Sequence, residues 1–236
     1  MGSETYGGAP AGSLRYFAVL FSRPERRPIL TALYDLEASV RSAANAENHE
    51  AAHARLRWWQ EEIDRWLSGR ARHPVTIALE PLHGELDEQD SRLLRELVVA
   101  GELDLVGMTY ATPQHLESYC FRAAGALQTV ITCALADDRR PSPAERDFAR
   151  RLGSATRQSE LLRDFAADLR RGRIYLPAET LETAGLSAEV AAAEPPLDEF
   201  AGPLGEWRER LLKELNEIPG LLDDSERESQ RHGLVL

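Results

Sequence analysis

The chain has 236 residues, 43% hydrophobic and 28% charged, with a net charge of -11 at pH 7. That length is enough to bury a sizeable core in one large domain or two small ones, and the composition is that of a soluble globular protein. The negative charge argues against nucleic acid, whose phosphates it repels, and no apolar run approaches the roughly 18–20 residues that span a bilayer.

The first residues, MGSETYGGAPAGS, are rich in Gly and Ser and lack the charged-then-apolar order of a secretory signal. A disordered arm is expected over 1–12, ahead of a single cytoplasmic domain over 13–236. Helical periodicity then dominates. A helix is expected over 26–44. In RLRWWQEEIDRWL, Leu56, Trp59, Ile63 and Trp66 recur at three- and four-residue steps and form one buried stripe. Further helices are expected over 89–100, 113–136 and 143–171, the last with Phe148, Leu152, Ala155, Leu162, Phe165 and Leu169 on its apolar side. A final one over 204–216 carries Leu204, Trp207, Leu211 and Leu215. VTIAL (75–79) and RIYLP (173–177) are short β-like runs without a partner of alternating pattern, so no sheet is expected. Pro24, His73-Pro74, Pro113, Pro141, Pro143 and the stretch 191–203 punctuate the chain. The fold class expected is all-α.

Cys120 and Cys133 match no metal spacing and are expected as buried thiols in a reducing compartment. Trp58, Trp59, Trp66 and Trp207 are expected in the core. HEAAH (49–53) fits the His-Glu-x-x-His pattern, with His49 and His53 on one helical face, but it sits in a polar helix start with no third ligand marked. A solvated helix start is the expectation there.

The sharpest chemical signal lies at 160–173. On a helix Glu160, Asp164 and Asp168 step by four residues along one face, each about 6 Å from the next. Such a carboxylate stripe suits Mg²⁺, which completes its shell with waters and ligand phosphates. Arg163, Arg170, Arg171 and Arg173 supply guanidinium forks for diphosphate oxygens. The plainer alternative is a solvated helix face laced with ion pairs such as Arg157 with Glu160 and Asp168 with Arg171.

LGSATRQSELLRDFAADLRRGRIYLP (152–177) resembles the second aspartate-rich helix of the squalene/phytoene synthase family, with Arg163, Asp164, Asp168, Gly172, Arg173, Tyr175, Leu176 and Pro177 in the family's places. LESYCFRAAG (116–125) resembles a second family helix. DLVGMTYATPQHL (104–116) is similar to the stretch before it, with Thr109 where an arginine is usual. RLRWWQEEI, RHPVTIAL and residues 13–38 also look like family segments, so the resemblance covers about 13–220. It implies an isoprenoid synthase-like helical bundle around a central apolar cavity, with Mg²⁺ held between two aspartate-rich helices. It implies cavity positions for Tyr110, Tyr119, Phe121, Gly125 and Tyr175, and diphosphate contacts from Arg122, Arg163, Arg171 and Arg173.

The pattern breaks on the first aspartate-rich helix. Arg41 and Asn45 stand where two aspartates belong, while Arg157 replaces the usual Gln and Glu160 the usual Asn. The segment ALYDLEASVRSAAN looks closer to a branch typified by the mitochondrial complex I assembly factor, and the chain looks short at its C-terminus. The expectation is a protein with a degraded first metal site, which keeps a cavity for a prenyl diphosphate or isoprenoid lipid without the standard head-to-head condensation. The alternatives are an active Mg²⁺-dependent prenyltransferase and a non-catalytic assembly factor acting through protein partners, in either case with peripheral rather than transmembrane membrane contact.

Overall fold

The computed structural model describes residues 8–46, 48–136, 139–186 and 197–236. Among these there is no strand, and both β-like runs take other forms. Pro74–Ile77 is a short helix (α4), because His73 caps it through Nδ1 and Pro74 fits its first turn. The run after Gly172 is irregular chain that tucks Tyr175 and Leu176 into the core.

Near the N-terminus, α1 (Leu14–Phe21) is capped by Ser13 and leads to α2 (Arg27–Ala44). The expected arm is partly packed. Gly8 donates its amide to Asp35 Oδ1 at 2.8 Å and Ala9 is buried, while residues 1–7 lie outside the described part. An added Cβ on Gly8 would stand 2.1 Å from the Tyr34 carbonyl, so only glycine allows this approach. α3 (His49–Leu67) begins at His49 because the Asn48 side chain accepts from the Ala51 amide, which places HEAAH at an exposed helix start. Its stripe is buried as expected, along with Trp207, but Trp58 lies off that stripe and is 41% exposed, edge-on to Trp59 and His73.

The helix expected over 89–100 is two pieces, α5 (Glu88–Arg92) and α6 (Leu94–Leu105). The one expected over 113–136 is α7 (Pro113–Cys120), a π turn (Phe121–Gly125) and α8 (Ala126–Leu135). α9 (Pro143–Arg170) starts at a capping box in which Ser142 and Glu145 satisfy each other's backbone amides. At 28 residues it runs about 42 Å. After α10 (Ala178–Thr183), α11 (Ala201–Glu217), α12 (Asp224–Ser229) and α13 (Arg231–Val235) complete the fold, and α13 packs on α1. Of the expected loop over 191–203, residues 191–196 lie outside the described part.

The apolar stripes meet in three clusters. Leu30, Leu33 and Leu36 of α2 join Leu56, Ile63 and Trp66 of α3 and Val130 and Ile131 of α8 in the largest. Each such fully buried leucine contributes about 2 kcal/mol relative to exposure. The second holds Tyr110, Tyr119, Phe165, Tyr175 and Trp207, and the third Phe148, Leu152 and Leu211. Both cysteines are buried and free, and burial pushes their thiols up, Cys133 to about 12.

α9 crosses the π turn backbone to backbone. A Cβ on Gly153 would come 2.6 Å from the Ala124 carbonyl and the Gly125 Cα, and one on Gly125 would meet the Arg150 carbonyl at 3.2 Å. Gly125, expected beside the cavity, therefore serves this crossing, and Phe121 packs over it.

Candidate functional site

α2 and α9 face each other with charged residues between them. Two guanidiniums bridge the same two carboxylates. Arg41 on α2 donates to Glu160 Oε2 at 2.9 Å and to Glu37 Oε1 at 2.8 Å. Arg15 on α1 donates to Glu37 Oε2 at 2.5 Å and to Glu160 Oε1 at 3.4 Å. The result is a closed ring of ion pairs tying α1, α2 and α9. Arg157, one turn before Glu160, adds a third guanidinium at 3.1 Å. Burial alone would raise the Glu160 carboxyl, but Arg41, Arg157 and Arg15 outweigh it and hold it below the usual carboxylate range.

Deeper in, Arg157 is only 9% exposed. It donates to the Tyr119 hydroxyl, and its guanidinium lies 5.4 Å from the Tyr119 ring centroid and 5.8 Å from that of Tyr175. Both of these hydroxyls donate to Asp104 Oδ1, at 2.7 and 2.8 Å, and Asp104 Oδ2 lies 3.7 Å from Arg157. Tyr110 stacks on the pair with its own hydroxyl buried and without a partner among the described residues. Tyr110, Tyr119 and Tyr175 of the expected aromatic residues are thus together around a resident cation, whereas Phe121 lies against Gly125. The space left between Glu37, Arg41, Gly101, Asp104 and Arg157 is about 20 Å³, room for about one water. Between α2, α6 and α9, Arg157 and its partners take up the space. The larger hollows, about 510 and 590 Å³, lie on the other face of α2, beside Ala38, Ser39, Ser42 and Trp58 and beside Tyr16, Leu20 and Thr31.

Towards the end of α9 the stripe continues. Asp164 is half-exposed and paired with Arg163 at 2.7 Å, which holds its carboxyl below the usual range. Asp168 is 13% exposed, with Arg171 at 3.8 Å, and burial raises its carboxyl. Arg173 Nη1 donates to Asn45 Oδ1 at 2.9 Å, joining the chain after α9 to the end of α2. The structure so brings Arg41, Asn45, Glu160 and Arg173 to one mouth. Arg122 stands apart from this set, paired with Glu96 of α6.

Sequence reasoning does not single out Arg15, Glu37 or Asp104 at the site. It offers Glu160 as a metal ligand and, as the plainer alternative, as an ion-pair partner of Arg157, and the structure shows the pair, part-buried and not solvated. The i,i+4 pair Glu37/Arg41, in register with the i,i+3 pair Arg157/Glu160, was the available signal.

The family model described as squalene/phytoene synthase matches residues 10–232. The chain belongs to the squalene/phytoene synthase family. Among curated relatives, it is 28% identical over 217 residues to the chloroplastic phytoene synthase 2 of Zea mays, covering 90% of this chain and 52% of that one. It is 28% identical over 222 residues to the chloroplastic phytoene synthase of Narcissus pseudonarcissus, covering 90% and 49%. The chain spans about half the length of these two relatives. Among solved structures, squalene synthase HpnC from Alicyclobacillus acidocaldarius superposes with a TM-score of 0.75 at 21% identity, covering 95% of this chain and 85% of that one. A dehydrosqualene synthase in complex with ligand gives 0.71 at 20%, covering 93% and 76%. The fold is that of these squalene synthase-type bundles, and no helix of the described residues is long and apolar enough to cross a membrane.

Magnesium held between α2 and α9, which the family implies, does not fit the residues at the end of α2, where Arg41 and Asn45 stand. Among the described residues no three His, Cys, Asp or Glu side chains converge. The Glu160 oxygens are taken by three guanidiniums, and Arg41 puts a positive charge where a divalent cation would need carboxylate.

Proposed function

We propose that this chain binds a prenyl diphosphate or related anionic isoprenoid at the mouth between α2 and α9 and does not carry out the standard metal-dependent head-to-head condensation. The observation that carries the reading is Arg41, whose guanidinium lies between Glu37 and Glu160 on the helix that carries the first aspartates in the family pattern. A condensation driven by diphosphate departure needs its developing negative charge neutralised in place. Here the available cations are guanidiniums. Arg163, Arg171 and Arg173 lie at the rim, and the first two are well exposed. Planar forks of this kind take phosphate oxygens in pairs. Asp164 and Asp168, paired with Arg163 and Arg171, orient these forks. A prenyl tail reaches the centre of the bundle only when Arg157 moves aside, since about 20 Å³ is open there.

A second reading, an active prenyltransferase, is favoured by relatives named phytoene synthase and by the Arg163, Asp164 and Asp168 pattern on α9. Calorimetric titration with a non-hydrolysable farnesyl or geranylgeranyl diphosphate analogue, with and without Mg²⁺, separates the two. The main reading expects binding that Mg²⁺ does not strengthen, weakened by Arg171→Ala/Arg173→Ala, and no squalene- or phytoene-type product. Magnesium-dependent binding lost in Asp164→Ala/Asp168→Ala, with product formed, establishes the second reading. No binding in any condition turns the search to protein partners.

A further inference from the structure

Three guanidiniums converge on one carboxylate. Arg41 Nη1 and Arg157 Nη1 reach Glu160 Oε2 at 2.9 and 3.1 Å, and Arg15 Nη2 reaches Oε1 at 3.4 Å. Arg157 sits one turn from Glu160 on α9, but Arg15 and Arg41 come from α1 and α2, so packing of three helices and not a local turn brings the second and third cations to it. The Glu160 side chain is 14% exposed, and the side chains of Arg15, Arg41 and Arg157 are 20%, 33% and 10% exposed, so the cluster is shielded without being sealed. A half-shielded carboxylate surrounded by guanidiniums has the charge and donor geometry of an oxyanion receptor already filled.

We infer that Arg15, Arg41 and Arg157 form an inner anion site for a phosphate or diphosphate group, and that the carboxylate of Glu160 occupies it from within as a competitor. The inference deepens the proposed function, resting on the reading that the mouth takes a diphosphate, and it adds a second, inner subsite and a reason for its weak occupancy. Glu37 keeps both Arg15 and Arg41 aimed inward when Glu160 leaves, because each retains a hydrogen bond to it. Tyr119 likewise keeps Arg157 in place. The cations are therefore held by partners other than the group being displaced, which is the preorganisation an anion site needs. In the wild-type chain an incoming diphosphate must displace Glu160, and its apparent affinity falls by the fraction of molecules in which that has happened.

The test uses inorganic diphosphate without a prenyl tail, titrated calorimetrically in buffer containing EDTA. Glu160→Gln is expected to bind it at least about tenfold more tightly than wild type, since one freed charge-assisted contact is worth that much. Glu160→Asp, which keeps the charge, is expected to stay close to wild type, and Glu160→Gln/Arg41→Met to lose the gain. Adding Mg²⁺ is expected to leave the affinity of Glu160→Gln no higher. Equal binding by wild type and Glu160→Gln, or a gain that survives Arg41→Met, overturns the inference. Should Glu160→Gln unfold more easily, millimolar diphosphate is expected to raise its Tm more than that of wild type, and no such difference also overturns it. Because the probe has no tail, failure of a prenyl ligand to bind wild type leaves this result standing. A prenyl ligand held only by the rim arginines would show no gain in Glu160→Gln.

Discussion

Arg157 and Tyr119 form a cation–phenol pair in the middle of the bundle: the guanidinium donates to the Tyr119 hydroxyl, which in turn donates to Asp104. The pair seals the space between α6, α7 and α9. Replacing Arg157 with Ala removes a buried ion partner of Glu160 and Asp104, while Asp104 keeps the Tyr119 and Tyr175 hydroxyls and Glu160 keeps Arg41. A loss of about 3 kcal/mol in urea unfolding is expected, as for a broken buried ion pair. The same variant is expected to be stabilised by a prenyl alcohol that leaves wild type unchanged, because the tail then has room. Thermal denaturation with and without the alcohol checks this.

Acid sensitivity should come in two stages. His232 is buried against Tyr34, with Nε2 and the Tyr34 hydroxyl 2.9 Å apart, and burial depresses its pKa from 6.5 to about 3. The unfolded chain therefore takes up a proton that the folded chain refuses between those values. Stability is full above about pH 6.5 and falls as pH drops towards 3, by up to about 1.4 kcal/mol per pH unit. Glu62 and Glu145 act lower. Burial alone would raise their carboxyls, but Thr76, the His73 and Arg72 amides and Arg65 hold Glu62 at about 2, and Arg139, the Ser142 amide, Gln230 and Ser229 do the same for Glu145. Their contributions are present above 4.5 and are lost as pH falls from there to about 2. Urea midpoints in His232→Gln are expected to stay flat from pH 7 to about 4.5 and then fall, whereas wild type declines from about 6.5.

Gly153→Ala tests the helix crossing. The added methyl would lie 2.6 Å from backbone atoms of the π turn, which cannot swing away as a side chain would. Ala favours an isolated helix by about 1 kcal/mol over Gly. Here the clash is expected to dominate and to destabilise by roughly 1–3 kcal/mol, as for overpacking. Gly205→Ala on α11, which meets nothing within 4 Å, is the control and is expected to be neutral or slightly stabilising by denaturant titration.

The ion-pair ring predicts a stability indifferent to divalent cations. EDTA and millimolar Mg²⁺ are expected to leave the Tm of wild type unchanged. Arg41→Asp/Asn45→Asp places two carboxylates at the end of α2 on the side that faces α9, and releases Glu160 from one of its cations. That variant is expected to be less stable without metal and to gain Tm on adding Mg²⁺ (differential scanning fluorimetry at low salt reads both).

The stripes of α2, α3, α9 and α11 were legible because three- and four-residue spacing of large apolar groups has few other solutions. So was the stretch ending at Tyr175-Leu176-Pro177, whose residues are buried as a block. The inner site was less legible. An Arg and a Glu three apart look the same whether the helix faces water or another helix, and what decides between them is Arg15, 145 residues away from Glu160. Gly125 likewise suits a cavity wall or a tight crossing equally in one dimension, and only the position of Gly153 chooses. The α5–α6 break and the π turn leave no periodic trace, since each shifts the register by less than one turn.

The ring and the Tyr34–His232 pair join residues separated by 145, 119 and 198 positions. Contacts so far apart close long loops, whose entropy cost must be met before the contacts form. During synthesis Arg15, Glu37 and Arg41 leave the ribosome long before Glu160 exists, so α1 and α2 must pass that interval with two guanidiniums sharing one carboxylate. The mouth of the bundle therefore cannot be assembled until α9 has emerged, and a chain cut short before α9 would have no mouth at all.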